Sequence, residues 1–290
     1  MKRIFLTIAI AAAGLLAVSC TKDKPNDNLG LQLYSIRAQC AQDINDALNG
    51  TAAAGYKIVE AASYNNAEGT FYGMAPKAFT DLCASKGLDF VSSHINGPDP
   101  NVAPMEECIA WWTKAIADHK AAGCRYIVQP SMSRTAYDSL EGLLKYCELF
   151  NKVGAMCKDA GIKFGYHNHN REFMTMFDVN GTQTRLYDVM LANLKPENVF
   201  FQLDLFWIYK GGGDPIEYFK ANPGRFLLWH VKDDLEVGAS GKIDFPEIYK
   251  YASLAGMQYQ IIEQEAFGEG IDPYDSIKMS CDYVKTLRPE

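Results

Sequence analysis

The chain has 290 residues, 48% of them hydrophobic and 22% charged, with a formal net charge of −7. Without a block of basic residues, that balance argues against nucleic acid or an anionic membrane surface as partner and leaves small neutral or cationic ligands open. The length is large for one ordinary domain and normal for a single α/β barrel.

Residues 1–19 carry Lys2 and Arg3 followed by an apolar run from Ile4 to Val18, the pattern of a secretory signal peptide. Ala17-Val18-Ser19-Cys20 resembles a bacterial lipobox, which implies cleavage before Cys20 and lipidation of that cysteine. Residues 20–28 then read as a flexible tether, since Thr21 to Asn28 holds no apolar side chain. The expected location is the cell envelope, lipid-anchored on the periplasmic or outer-membrane surface. The seven cysteines beyond Cys20 form no CxxC and read as small buried hydrophobes rather than a disulfide framework.

From residue 29 to 290, strand-like runs alternate with helical segments. The strand-like runs are Leu29 to Ser35, Tyr56 to Ala61, Leu88 to His94, Cys124 to Pro130, Ile162 to His169, Val199 to Asp204, Arg225 to Asp233 and Tyr259 to Glu265. The helical segments between them are 44–55, 76–87, 104–123, 138–161, 182–194, 215–221, 245–256 and 273–287. Several open on Pro or Asp and close on Gly. Strict alternation demands a parallel sheet covered by helices, and eight repeats give a single (β/α)8 TIM barrel. An open doubly wound sheet is the runner-up, disfavoured because no GxGxxG follows the first strand.

In such a barrel the chemistry sits where the strands end. The eight ends supply Gln32 and Tyr34, Glu60, His94, Gln129, His167 and His169, Asp204, His230 and Lys232, and Glu263 and Glu265. Four of the five histidines fall in this set, and the fifth, His119, is expected on a helix surface. His167 and His169, two apart on a strand, point the same way. Buried carboxylates and imidazoles that converge need pairing or a shared cation, and a divalent metal satisfies several together. Two imidazoles with two carboxylates suit manganese, zinc, cobalt or iron better than calcium. The aromatics Tyr34, Phe206, Trp207, Trp229 and Phe267 either stack on a ligand or fill the core.

The strings LGLQLYSIR, GYHNHNREF, FFQLDLFWIYKGGGDP, WHVKD, IIEQEAF and DPYDSIKMSCDYVKTL, in this order, resemble the sugar isomerase/epimerase superfamily of xylose isomerase-like TIM barrels. The resemblance implies one divalent metal (Mn2+, Zn2+ or Co2+) on Asp204, His230 and Glu263, with His167 standing where the family commonly has Glu. It further implies Glu263, His169 and Lys232 as candidate acids and bases. Gln32, Tyr34, Glu60, His94, Gln129, Trp207, Trp229 and Glu265 are the candidate substrate-binding residues. The implied chemistry is proton abstraction beside a carbonyl of an unphosphorylated sugar. The alternatives are elimination from a 3-keto-glycoside, as in inosose dehydratases, and a non-catalytic sugar-binding lipoprotein. An endonuclease is disfavoured by the small histidine set and the absence of a basic surface. The expected partners are therefore a small sugar or glycoside, the membrane only through the lipid, and no nucleic acid, with a homodimer left open.

Overall fold

The computed structural model describes residues 28–287; the signal, lipidation and tether expectations at residues 1–27 lie outside them. Eight parallel strands close into a barrel: β1 (Leu29–Gln32), β2 (Ile58–Ala61), β3 (Asp89–His94), β4 (Tyr126–Gln129), β5 (Lys163–His167), β6 (Val199–Asp204), β7 (Leu228–Val231) and β8 (Tyr259–Ile262). Each pairs with the next in sequence, and β8 closes on β1 through Leu29 beside Gln260.

The outer helices are α1 (Ile44–Ala53), α2 (Pro76–Ser85), α3 (Met105–Ala121), α4 (Leu140–Ala160), α5 (Leu186–Asn193), α6 (Pro215–Ala221), α7 (Phe245–Tyr249) and α8 (Pro273–Val284). Their starts follow local chemistry. Asp43, Ser139, Asp214 and Asp272 each accept a hydrogen bond from a backbone N–H of the first turn of α1, α4, α6 and α8. Gly161, at φ +82°, ends α4 in the left-handed conformation that side chains resist.

Two expected helices differ. The 182–194 segment begins instead with the second strand of a hairpin, Met176–Val179 paired with Thr182–Arg185, around Asn180 and Gly181 at φ +54° and +83°. An Asn-Gly pair favours such a two-residue turn, so the signal was present in the sequence. The 245–256 segment breaks into α7 and a short turn of helix at Ala252–Ala255. A second small hairpin, Tyr64–Asn65 with Thr70–Phe71, lies between β2 and α2.

Alternation along the strands divides the barrel interior into two layers. The lower layer is apolar: Ile58, Val91, Tyr126, Val128, Phe200, Leu228 and Ile261 form one buried cluster. A Cβ on Gly165 would stand 2.5 Å from the Phe200 ring, so glycine there is what lets that ring fill the barrel. The opposite strand faces pack against the helices in the main core, where Trp229 stacks on Phe219 with ring centroids 4.9 Å apart. All seven described cysteines are buried and unpaired. Among the described residues no helix is long and apolar enough to cross a membrane.

Candidate metal centre

Above the apolar layer, the next inward positions are polar and buried: Gln32, Glu60, Ser92, His167, Gln202, Asp204, His230 and Glu263. Most stand two residues beyond an apolar neighbour on the same strand, so the period of two carries them inward. On β3 the register shifts, with Val59 beside Phe90 but Glu60 beside Ser92. This bulge re-aims Ser92 and His94 into the barrel, a common use of an extra strand residue near a site.

Glu60 is the hub of this layer. Its Oε1 accepts from His230 Nε2 at 2.6 Å and Gln32 Nε2 at 2.8 Å, and its Oε2 from Ser92 Oγ at 2.5 Å and Gln202 Nε2 at 2.9 Å. Burial opposes its charge, but His94 and His230 together outweigh that and hold its carboxyl down at about 2. With Gln202 donating to Glu60, its Oε1 must accept, from His94 Nε2 at 2.6 Å and His167 Nδ1 at 3.1 Å. The protons of His167 and His230 thus lie on the nitrogens turned toward Gln202 and Glu60. Once each ring holds a single proton, the other nitrogens offer the lone pairs, as in a carboxylate-braced metal ligand.

Those free nitrogens meet two carboxylates. His167 Nε2 is 3.9 Å from Asp204 Oδ2, and His230 Nδ1 is 4.0 Å from the same oxygen and 3.5 Å from Glu263 Oε2. Asp204 spends Oδ1 capping the helix Leu205–Lys210 through Trp207 N–H at 2.7 Å, which leaves Oδ2 for the cluster. Asn168 fixes the Asp204 backbone by exchanging hydrogen bonds with its N–H and C=O. Both Asp204 Oδ2 and His230 Nδ1 are buried with no hydrogen-bond partner. Ligand atoms of His167, Asp204, His230 and Glu263 all lie within 4.8 Å of one another. Ligands about 2.1 Å from a tetrahedral ion sit roughly 3.4 Å apart, so the donor set and the two orphaned atoms fit a divalent metal.

Without such an ion the charges strain against burial. Burial pushes Asp204 up to about 7, only partly offset by Lys232 and His230. Burial would lower His230, but Glu60 and Glu263 overcome it and raise the ring to about 10. Glu263 is held well below the usual carboxylate range because His230 and Lys232 outweigh its burial.

A cavity of about 340 Å³ opens over this cluster, with His94, His167, His169 and Glu263 at its floor and Tyr34, Asn96, Ser131 and Glu265 among its walls. No Lys or Arg lines it. His169 lies 5.0 Å from the His167 ring and 5.6 Å from Trp207, and burial lowers it to about 4, so it is neutral at pH 7. Its backbone N–H is anchored on Glu172, which also accepts from Tyr137 and Tyr166. Lys232 is buried beside Glu263 (3.0 Å) and Glu265, with Nζ 4.9 Å from the Trp207 ring. Burial would neutralise its amine, but Glu263, Asp204 and Glu265 prevail and keep it an ammonium. The surroundings thus favour an acid over a base at Lys232.

Several expected contacts fall elsewhere. Gln32 and Glu60 do not line the cavity; Glu60 braces His230, and Gln32 donates to Glu60. Gln129 is one residue out of phase with inward-facing Val128 and instead holds a loop, accepting from Gly97 N–H and donating to Ser131 C=O. Trp229 alternates with His230, so it faces the helices and lies in the core rather than at the mouth. His119 is fully buried, not on the surface, its ring set between Tyr64 and Phe71 of the small hairpin and its Nδ1 at 2.6 Å from Ala115 O. Sequence reasoning missed Ser92 and Gln202; period two from Asp204 pointed to Gln202, but nothing marked the β3 bulge.

Residues 48–286 match the xylose isomerase-like TIM barrel family. The chain belongs to that family. Among solved members of the fold, a sugar phosphate isomerase/epimerase from Parabacteroides distasonis is 31% identical, with a TM-score of 0.82 over 91% of this chain and 96% of that one. A second protein of that description from the same organism is 29% identical, with a TM-score of 0.78 over 88% and 96%. The fold is also shared with the 3-keto-D-glucoside 4-epimerase of E. coli, at 14% identity and a TM-score of 0.67 over 90% and 99%. No curated protein matches the chain.

Proposed function

We propose that this family member binds one divalent metal on His167, Asp204, His230 and Glu263 and removes a proton beside a carbonyl of an unphosphorylated sugar. The observation that carries this reading is the pair of buried, unpartnered atoms, Asp204 Oδ2 and His230 Nδ1, 4.0 Å apart under the cavity floor. When bound, the ion supplies Lewis-acid polarisation of the carbonyl, which acidifies the neighbouring C–H. The protein's own groups supply the rest. Neutral His169 accepts the proton, Lys232 as an ammonium donates one, and Trp207 lies against both. No cluster of arginines or lysines lines the cavity to cradle a phosphate, which supports an unphosphorylated substrate.

Elimination from a 3-keto-glycoside is the second reading. A neutral imidazole in the lining and an ammonium held behind the lining carboxylates Glu263 and Glu265 form the unlike acid–base pair that an elimination needs. His169 takes the C–H proton, the bond from the neighbouring carbon to the glycosidic oxygen breaks, and Lys232 gives that oxygen a proton. The similarity in fold to an enzyme named for a 3-keto-D-glucoside makes that substrate class worth testing. The test is NMR in D2O with a 3-keto-glucoside and a free ketose, on protein of measured metal content. Deuterium entering the substrate with an epimer or isomer formed supports the first reading, and an unsaturated ketone with released alcohol supports the second. The absence of exchange and of either product in the metal-loaded protein sinks both.

We further propose that Cys20 carries a lipid. The lipobox-like Ala17-Val18-Ser19-Cys20 and the polar stretch that follows it support this reading. Detergent partitioning of the wild type and of Cys20→Ala tests this.

A further inference from the structure

A groove of about 260 Å³ adjoins the mouth cavity and shares two of its walls, Tyr34 and Ala62. Its chemistry differs from that of the cavity. Where the cavity is lined by imidazoles and carboxylates, the groove is lined by Leu33, Tyr34, Tyr72 and Ser63 with one cation, Arg37.

Tyr34 stands on the ridge between the two spaces and is 44% exposed, unusual for a tyrosine two residues beyond a barrel strand buried throughout. Arg37 holds it there: Nη1 donates to the Tyr34 carbonyl at 3.1 Å, and the guanidinium lies 4.5 Å over the Tyr34 ring. A planar guanidinium carries five N–H donors, so most remain free for a ligand above the ring.

Tyr72 forms the far wall with φ at +50°, a conformation that costs a bulky residue of order 1–3 kcal/mol and persists only where surrounding contacts enforce it. Those contacts are present. Its hydroxyl accepts from the backbone N–H of Ala62 at 3.0 Å, the same residue that both spaces share, and its ring stacks on Phe79 with centroids 5.3 Å apart. Strain is thus held at the far wall of the groove, which is tied to the shared residue Ala62.

We infer that this groove is a second sugar subsite, and that the substrate is a two-ring glycoside whose reacting ring sits over His167 and Glu263 while its distal ring lies in the groove between Tyr34 and Tyr72, beside Arg37. The inference rests on the proposed sugar chemistry and adds the substrate class to it. Aromatic walls suit the C–H face of a pyranose, and guanidinium N–H groups suit its hydroxyls. A single exposed arginine on an otherwise uncharged wall is a weak phosphate cradle, because tight anion sites converge several donors.

The test is calorimetric titration of the metal-loaded protein with glucose, maltose, cellobiose and glucose 6-phosphate, for wild type, Arg37→Ala and Ser63→Trp. Ser63 is exposed and its side chain makes no hydrogen bond, so an indole there fills the groove without removing a contact. At least one disaccharide should bind wild type about 10-fold more tightly than glucose, equivalent to ~1.4 kcal/mol. That advantage should fall below about twofold in Ser63→Trp, with glucose affinity unchanged there, and severalfold in Arg37→Ala. Disaccharides no tighter than glucose, an advantage that survives Ser63→Trp, or an Arg37-dependent preference for glucose 6-phosphate would each overturn the subsite. Deuterium exchange on the same samples separates the two claims. Disaccharide preference without exchange sinks the proton-abstraction reading and leaves the subsite, whereas exchange without that preference sinks the subsite alone.

Discussion

Glu60 and Asp204 are both carboxylates at strand ends, both fully buried, and their surroundings drive them in opposite directions. Glu60 receives four hydrogen bonds through two oxygens and sits at about 2; Asp204 satisfies one oxygen, leaves the other bare, and is pushed up to about 7. A carboxylate with both oxygens occupied braces its neighbours, whereas one with a bare oxygen can take a cation. Both are buried carboxylates, so the count of donors around each oxygen is what tells them apart.

The sharpest way to break this comparison is at Asp204. Elemental analysis should find about one metal per chain in wild type and none in Asp204→Ala, and retention of the metal in the variant would reject the assignment. The same residue predicts a pH signature in metal-free protein. Its folded pKa is raised from 3.8 to about 7, so its contribution to stability is present below about pH 4 and is lost as pH rises toward 7. Because a metal replaces that proton, metal-induced gain in Tm should be larger at pH 8 than at pH 5. Equal gains at both pH values would show that Asp204 is already ionised.

Glu60→Gln probes the member with both oxygens occupied. Removing the charge that His230 and His94 face should cost about 3 kcal/mol in urea unfolding and weaken metal binding about 10- to 100-fold without abolishing it. Total loss of the metal would instead make Glu60 a ligand.

His119 supplies a control for acid lability away from the site. Burial lowers it from 6.5 to about 4, so the unfolded chain takes up its proton first and stability is lost as pH falls from about 6.5 to 4. His119→Gln should remove about 3 kcal/mol of that loss. An unchanged pH profile would show that the ring is protonated within the fold.

The smallest effect is expected at Trp229. Trp229→Phe should cost about 1–2 kcal/mol through lost packing on Phe219 and leave metal content and sugar affinity unchanged. A drop in sugar affinity would return Trp229 to the mouth.

Much of this was legible in the chain. Alternating strand and helix signals specified eight repeats and hence a barrel, because caps and stops such as Asp43, Ser139 and Gly161 act locally. Period two along each strand then brought His167, Asp204, His230 and Glu263 to one rim, and these four converge in the structure. What one sequence position cannot report is the phase of its neighbours. The β3 bulge that turns Ser92 and His94 inward, and the hairpin that buries His119 between Tyr64 and Phe71, depend on contacts with residues far along the chain. So does the distinction between Glu60 and Asp204. Residue type and spacing placed both acids inside the barrel, whereas their roles were decided by donors from β1, β3, β6 and β7 that only the closed barrel brings around Glu60. Hydrogen bonding is short-ranged and directional, so tertiary structure alone assigns those partners.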